Sequence, residues 1–263
     1  GKTTRVPLAL LDAPWRGDGR ILVLEPRRLA ARAAARRMAQ SLGEEVGETV
    51  GYRVRMEARV SRRTRIEVVT EGVFPRMLVA APGLDGVAAV LFDEAHERSL
   101  DGDLGLALAI EAQGALRPDL KLVVMSATID GARFAALLGG APVIESAGRA
   151  FPVETRHLGR DREARLEDAV AAAVRRALAE ETGSLLVFLP GQAEIRRVGE
   201  RLADRVGADV DVVALHGGLD GAEQDRAIRP PAPGRRKVVL ATSIAETSIT
   251  IDGVRVVIDA WLS

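Results

Sequence analysis

The apolar run that ends LFDEAHERS (91–99) carries the clearest chemistry in this sequence. Asp93 and Glu94 stand where a buried strand would release the chain into solvent. Adjacent carboxylates at such an edge suit a magnesium–nucleotide site. Asp93 holds the metal, directly or through water, and Glu94 orients and deprotonates an attacking water. The alternative is a solvated acid pair, and this motif alone leaves the two open. The chain begins GKTT, the tail of the phosphate-cradling pattern G-x-x-x-x-G-K-[ST] without its front half. In that reading Lys2 neutralises phosphate charge and Thr3 offers a hydroxyl to magnesium, with Gly1 and Thr4 beside them. The following TRVPLALLDA reads as a helix whose N-terminus faces the phosphates. A chance Gly-Lys-Thr loses to this reading because a strand-end Asp-Glu pair follows at a suitable distance. MSATID (125–130) places Ser126 and Thr128, either side of Ala127, at another strand end. Those hydroxyls either bond the acids or His96, or Thr128 or Asp130 simply caps the next helix; both readings stand.

These residues need elements that bring them to one edge. The apolar runs are ILVLE (21–25), IEVVT (66–70), VAAVLFDE (87–94), KLVVMSAT (121–128), SLLVFLP (184–190), VDVVAL (210–215), KVVLAT (237–242) and VRVVIDA (254–260). They are rich in Val, Ile and Leu and barely alternate, as strands buried on both faces do. Between them lie RRLAARAAARRMAQSL, LDGDLGLALAIEAQGAL, REARLEDAVAAAVRRALAE and QAEIRRVGERLADRV, all of helical period. Strand–helix alternation predicts an α/β fold with helices on both faces of mainly parallel sheets, and ligands beyond the carboxyl ends of the strands. The rhythm breaks at APVIESAGRAFPVETRHLGR (141–160). The sequence therefore predicts two domains, 1–145 and 154–263, joined by a linker at 146–153.

Other polar residues fall at the same predicted edges. LEPRRLAARAAARRMA (24–39) puts Arg28, Arg32 and Arg36 four apart, on one helical face. That face either grips a phosphate backbone or is an ordinary solvated face. TEGVFPRML (70–78) again follows a strand. In the second half, LATSIAETSITIDGV (240–254) runs from a buried strand into Thr242, Ser243, Glu246, Thr247 and Ser248, then Asp252. A loop so rich in hydroxyls is suited to short hydrogen bonds with phosphates.

Composition narrows the classes. The 263 residues contain no cysteine, which excludes disulfides and thiolate metal sites, and three scattered histidines argue against a histidine metal cluster. No apolar run approaches the roughly 20 residues of a membrane span, and no signal peptide opens the chain, so a cytoplasmic protein is expected. Formal net charge is zero, which predicts only moderate salt dependence of any nucleic-acid affinity. The absence of an initial Met and the stop just after a strand-like run lead the sequence reading to expect further residues at both ends.

GKT, EPRR, TEGV, DEAH, SAT, FLPGQAEI and ATSIAETSITIDGV occur in this order. Together they resemble the DEAH-box subgroup of superfamily-2 RNA helicases, and EPRRLAARAAARRMA with VGYRVRMEARVSRRTRIEVVTEGV is most similar to the bacterial HrpB-like members. The resemblance covers essentially the whole chain. It implies two tandem RecA-like P-loop domains that clamp ATP with Mg²⁺ and step along single-stranded or partly duplex RNA, or DNA, by closing and opening. It implies catalytic roles for Asp93, Glu94 and His96, nucleotide contacts from Gly1, Lys2, Thr3, Thr4 and Asp252, and metal binding by Thr3 and Asp93. Ser126, Ala127 and Thr128 would couple hydrolysis to unwinding. Arg27, Arg28, Thr70, Glu71, Gly72, Gly191, Gln192, Thr242, Ser243 and Thr247 would line the nucleic-acid track. The sequence departs from the family pattern at Phe74-Pro75, where Pro75 removes a backbone donor, and at Trp261, where glycine is expected. The family's arginine-finger motif would lie beyond Ser263. Because such fingers contribute about 10³-fold or more, weak hydrolysis is expected of these residues alone. The other readings are an RNA-binding clamp that does not unwind, an ATPase acting on a protein partner, and an inactive fragment.

Overall fold

The computed structural model describes residues 2–127, 131–146, 151–159, 165–245 and 251–260. Backbone packing divides the chain into two units, Gly1–Gly148 and Arg149–Ser263. Gly1, Thr128, Asp130, Glu246, Thr247, Ser248 and Trp261, all singled out above, lie outside the described residues. Among the described residues no helix is long and apolar enough to cross a membrane.

The first unit runs α1 (Lys2–Ala9), β1 (Arg20–Glu25), α2 (Arg28–Leu42), β2 (Val50–Val54), β3 (Glu57–Arg59), β4 (Ile66–Thr70), α3 (Phe74–Ala80), β5 (Val87–Phe92), α4 (Leu100–Ala115), β6 (Lys121–Val124) and α5 (Gly131–Leu137). Its strands form one sheet in the order β3-β2-β4-β1-β5-β6. All neighbours pair parallel except β2 and β3, which form an antiparallel hairpin. The period-two alternation of β1 shows why both faces are covered. Ile21 and Val23 join a core with Ala31, Ala35 and Met38 of α2, against which Val6 and Leu8 of α1 pack. Leu22 and Leu24 join the opposite core with Phe74 and Leu78 of α3 and Leu106 of α4. Both faces of β1 are thus apolar, which is why the strand shows no alternation in the sequence.

Glu67 is a buried carboxylate of this sheet that has partners. Glu67 of β4 is fully buried and accepts from Arg20 on β1 and Arg53 on β2, each at 2.7 Å. Two guanidinium partners offset the desolvation that a buried carboxylate suffers.

Arg32 corrects both readings of the α2 arginine face. It is buried, and its guanidinium lies 3.3 Å from Glu57 of β3, the same carboxylate that accepts from the Tyr52 hydroxyl. It neither faces solvent nor extends a phosphate-gripping stripe with Arg28.

The second unit runs α6 (Leu166–Glu180), β7 (Ser184–Phe188), α7 (Gln192–Leu202), β8 (Val210–Leu215), α8 (Gly221–Ile228), β9 (Arg236–Ala241) and β10 (Val254–Asp259). The all-parallel sheet has the order β10-β7-β9-β8. Val170 and Val174 of α6 and Ile195, Val198 and Leu202 of α7 bury one face of it. Helix α8 packs on β8 and begins with a reciprocal cap, Asp220 accepting from the Glu223 amide while Glu223 accepts from the Asp220 amide.

Candidate nucleotide and nucleic-acid site

In the first sheet β4, β1, β5 and β6 are consecutive neighbours, so their carboxyl ends form one edge. Backbone bonds extend the ladders past the strands and fix the loops there. Glu71 N–H donates to Glu25 O (3.1 Å), Asp93 N–H to Leu24 O (3.1 Å), and Ala95 N–H to Met125 O (3.1 Å). This edge gathers Thr70, Glu71, Asp93, Glu94, His96, Ser126 and Ala127. Lys2 comes to the same place. Its ammonium donates to the Ser126 carbonyl, so the first turn of α1, which also carries Thr3 and Thr4, is tied to the end of β6.

Asp93 is buried. Its Oδ1 accepts from the Glu94 amide at 2.9 Å, while its Oδ2 is buried with no partner. Leaving a buried acceptor unsatisfied costs about 1–3 kcal/mol, so a ligand at this atom recovers energy that the protein alone does not. That fits a Mg²⁺ ion. Asp93 and the Thr3 hydroxyl are the residues present to hold it. Glu94 follows in the left-handed conformation (φ 49°), and Arg98 repeats it (φ 50°) on the far side of the turn bearing His96. Side chains rarely adopt this backbone, and its cost of roughly 1–2 kcal/mol per residue must be met locally. Here the Asp93 carboxylate, the Met125 carbonyl and the Arg98–Asp103 ion pair at 2.8 Å hold it.

His96 stands between two loops. Its Nδ1 lies 3.3 Å from Glu94 Oε2 and 3.4 Å from the amide N–H of Ala127. A bare Nδ1 accepts from Ala127; a protonated Nδ1 donates to Glu94. It cannot do both at once, so the partner is set by which ring nitrogen carries the hydrogen. The contacts that tie the 126–127 loop to Lys2 and His96 run through the Ser126 carbonyl and the Ala127 amide.

Glu94 is held above the usual carboxylate range, first by burial and then by the Asp93 charge, with His96 and Lys2 opposing. A base must be deprotonated to act. The acid limb of the hydrolysis pH profile should therefore lie above the value of an ordinary glutamate, with activity lost as pH falls through it. A profile of kcat against pH checks this; a limb at or below the ordinary value would contradict it.

The residues expected to meet nucleic acid in this unit stand beside the same edge. Arg27 precedes α2 and pairs with Glu97 at 3.5 Å, while Arg28 is exposed in the first turn. Glu71 accepts from the Ser99 hydroxyl, and Ser99 in turn caps α4 by accepting from Gly102 N–H at 2.9 Å. Gly72 and Gly102 permit this approach: a Cβ on Gly102 would lie 2.6 Å from Glu71 Oε1, and one on Gly72 2.9 Å from Asp101 Oδ2. Burial pushes the Glu71 carboxyl up, and Glu97, Asp101 and Asp103 add to this against the Ser99 bond. Glu71 thus braces the loop; a carboxylate gives no favourable contact to phosphate. Pro75 sits in the first turn of α3, where amides have no intrahelical acceptor. The donor that Pro75 lacks is therefore one that would have made no intrahelical bond.

In the second unit, Thr242 and the exposed Ser243 follow the carboxyl end of β9, and Gly191 and Gln192 follow neighbouring β7. Thr242 N–H donates to Leu215 O at 3.2 Å. Gln192 also lines a groove of about 290 Å³ with Ile195, Arg196 and His216. Asp252 is not brought to this edge. It precedes β10, where Ser184 N–H donates to Gly253 O, at the amino end of the sheet.

Sequence reasoning passed over Glu25. It is the last residue of β1, fully buried, with neither oxygen partnered. Burial, then Asp93 and Glu94, push its carboxyl well above the usual range. The signal was present: Glu25 is an acid closing an otherwise apolar strand, as Asp93 does.

Two family models match the chain. The DEAD/DEAH box helicase model covers residues 1–136, and the helicase conserved C-terminal domain covers 167–262. The chain is 54% identical over 259 residues to the ATP-dependent RNA helicase HrpB of Escherichia coli, and 37% identical over 266 residues to the pre-mRNA-splicing factor ATP-dependent RNA helicase prp22 of Schizosaccharomyces pombe. Each alignment takes in 98% of this chain but only 32% and 23% of those proteins. The chain therefore spans about a third or less of the curated relatives it matches. Two solved structures, titled as the Escherichia coli DEAH/RHA helicase HrpB and the E. coli DExH-box NTPase HrpB, superpose with TM-scores of 0.87 and 0.74 at 54% identity. Each match covers 98% of this chain and 33% and 32% of those chains, respectively.

Proposed function

The chain belongs to the DEAD/DEAH box helicase family, as an HrpB-like DEAH helicase, and from that premise we propose that it couples ATP hydrolysis to translocation on, or unwinding of, RNA. The observation that carries the reading furthest is the state of Asp93. It is a buried carboxylate with an unpartnered oxygen, joined to Glu94 and flanked by Lys2 at one strand edge.

In this mechanism Lys2 leaves the Ser126 carbonyl for the β- and γ-phosphates, and the first amides of α1, with Thr3 and Thr4, support them. Asp93 and Thr3 would hold Mg²⁺, which when bound would neutralise charge developing on the phosphoryl oxygens. Glu94, its carboxylate aimed by the strained turn, takes a proton from the attacking water. His96 stands between the two loops: a proton on Nδ1 directs it to Glu94, and a bare Nδ1 takes the Ala127 amide. The Lys2–Ser126 contact makes the same loop sensitive to phosphate, which supports a coupling role for residues 126–128.

Arg27, Arg28, Thr70 and Gly72 in the first unit, with Glu71 bracing their loop, and Gly191, Gln192, Thr242, Ser243 and Thr247 in the second, are the residues proposed to meet nucleic acid, each set within its own unit. The bonds Arg27–Glu97 and Ser99–Glu71 give those of the first unit a physical route to the hydrolytic turn. A phosphate that captures Arg27 draws it away from Glu97, which lies one residue after His96. The experiment that tests the whole reading is RNA-dependent ATP turnover, followed by strand displacement with RNA and DNA duplexes. Turnover without displacement would reduce the function to a nucleotide-gated clamp.

A further inference from the structure

Glu25 poses a problem that the proposed mechanism leaves unsolved. The first sheet contains another fully buried carboxylate, Glu67, and provides it with two arginines at 2.7 Å. Glu25 receives none: both of its oxygens are buried without a cation or N–H donor, and the polar group beside them is the Asp93 carboxylate. The cations around it are engaged elsewhere, Lys2 with the Ser126 carbonyl and Arg27 with Glu97. A carboxylate kept only for packing would not be left in this state, because an apolar side chain of similar volume is more stable there.

Its neighbour shares the condition. Leu24 pairs with Phe92 and Asp93 N–H donates to Leu24 O, so Glu25 and Asp93 stand side by side at the edge. Continuing the alternation of Val23 and Leu91 carries both acids to the sheet face covered by α1. The Asp93 Oδ2 is the other unpartnered buried oxygen at this place. Two orphaned carboxylates on the face of the phosphate-binding helix lack one thing, a concentrated positive charge.

We propose that Glu25 is a positioning residue for magnesium, its carboxylate accepting hydrogen bonds from water molecules of an ion held by Asp93. Direct ligation is not required. Among the described residues no three His, Cys, Asp or Glu side chains could hold a metal together. Mg²⁺ commonly keeps several waters and uses only one or two carboxylates. Outer acceptors of this kind orient those waters and typically contribute 10–100-fold to metal affinity. The inference rests on the nucleotide-site reading above.

The test is Mn²⁺ binding measured by electron paramagnetic resonance in the presence of ADP, on the product of the whole reading frame that contains these residues. Glu25→Gln should weaken Mn²⁺ binding by roughly 10-fold or more. In EDTA the same variant should bind ADP as well as the parent and should melt at a higher temperature, because its amide N–H can donate to the Asp93 carboxylate that the Glu25 carboxyl crowds. Glu25→Asp, which keeps the charge one methylene further back, should recover part of the metal affinity. Unchanged Mn²⁺ affinity in Glu25→Gln, or a lower melting temperature accompanied by weaker ADP binding in EDTA, would overturn the inference. Asp93→Asn separates the two levels. If it abolishes Mn²⁺ binding while Glu25→Gln does not, only the role of Glu25 fails. If it too leaves Mn²⁺ binding intact, the metal site itself is misplaced.

Discussion

Glu94→Gln should lower the turnover number for ATP by about 10²–10⁴-fold, the usual contribution of a positioned general base, and leave nucleotide affinity equal or tighter. The amide keeps the size of the side chain and can still meet His96, 3.3 Å away in the parent. It cannot take a proton. It also removes a negative charge that repels Asp93 and Glu25, which is why binding should not suffer. Single-turnover hydrolysis beside a fluorescent-nucleotide titration reads both quantities. A turnover number within tenfold of the parent would assign the base elsewhere. Concurrent loss of binding would mean that the substitution had collapsed the strained turn at residues 94–98.

Phe74→Ala should be the most damaging substitution away from the reacting atoms. Phe74 is fully buried and meets Phe92 edge-on, with ring centroids 5.8 Å apart and planes at 85°. A Cβ on Gly105 would come within 3.0 Å of its ring, so α4 lies directly on it. Truncation removes the transfer energy of the ring and leaves a cavity, together roughly 3–5 kcal/mol. Against a typical stability of about 5–15 kcal/mol this is a large share. The melting transition of the first unit should fall by on the order of 10 °C. The consequence reaches the site, because Phe74 follows Thr70–Gly72 and Phe92 precedes Asp93. Removing one ring loosens the nucleic-acid loop and the metal-binding loop together. Phe74→Leu should restore most of the loss. Calorimetry checks this, and a loss below about 1 kcal/mol would show that the site collapses without cost.

The departure from the family pattern at Phe74-Pro75 thus has an explanation that residue types alone did not offer. Whether Pro75 costs a hydrogen bond depends on where α3 starts, and it starts at Phe74. Element boundaries elsewhere were legible wherever burial on both faces made an unbroken apolar run, as in β1, β5 and β9. The β2–β3 hairpin was not. Val50, Tyr52 and Val54 do alternate inward, but Arg53, Arg55 and Arg59 break the run, and the turn is closed by Met56 at φ 65°, a residue with no turn signature. Missing that hairpin also hid the fate of Arg32, whose acceptor Glu57 lies on it. Helices α3, α5 and α8 are eight residues or shorter, too short to show a helical period.

The site divides in the same way. Asp93, Glu94 and His96 were readable as a contiguous motif after a strand, and Lys2 as part of one at the start of α1. Glu25 was not, although it ends a strand. Its significance depends on register: only the pairing of β1 with β5 sets it beside Asp93, and only packing from both faces leaves its oxygens without water. The contact of Ser126 with Lys2 was equally hidden, because it uses the carbonyl, an atom that every residue type supplies.

The measurement that tests the central claim most directly is steady-state ATP hydrolysis by the whole reading-frame product, with and without single-stranded RNA, beside Glu94→Gln. The account predicts that RNA raises the rate and that the variant abolishes it under both conditions. A measurable rate indifferent to RNA and to DNA would contradict the nucleic-acid coupling and point to an ATPase acting on another kind of partner.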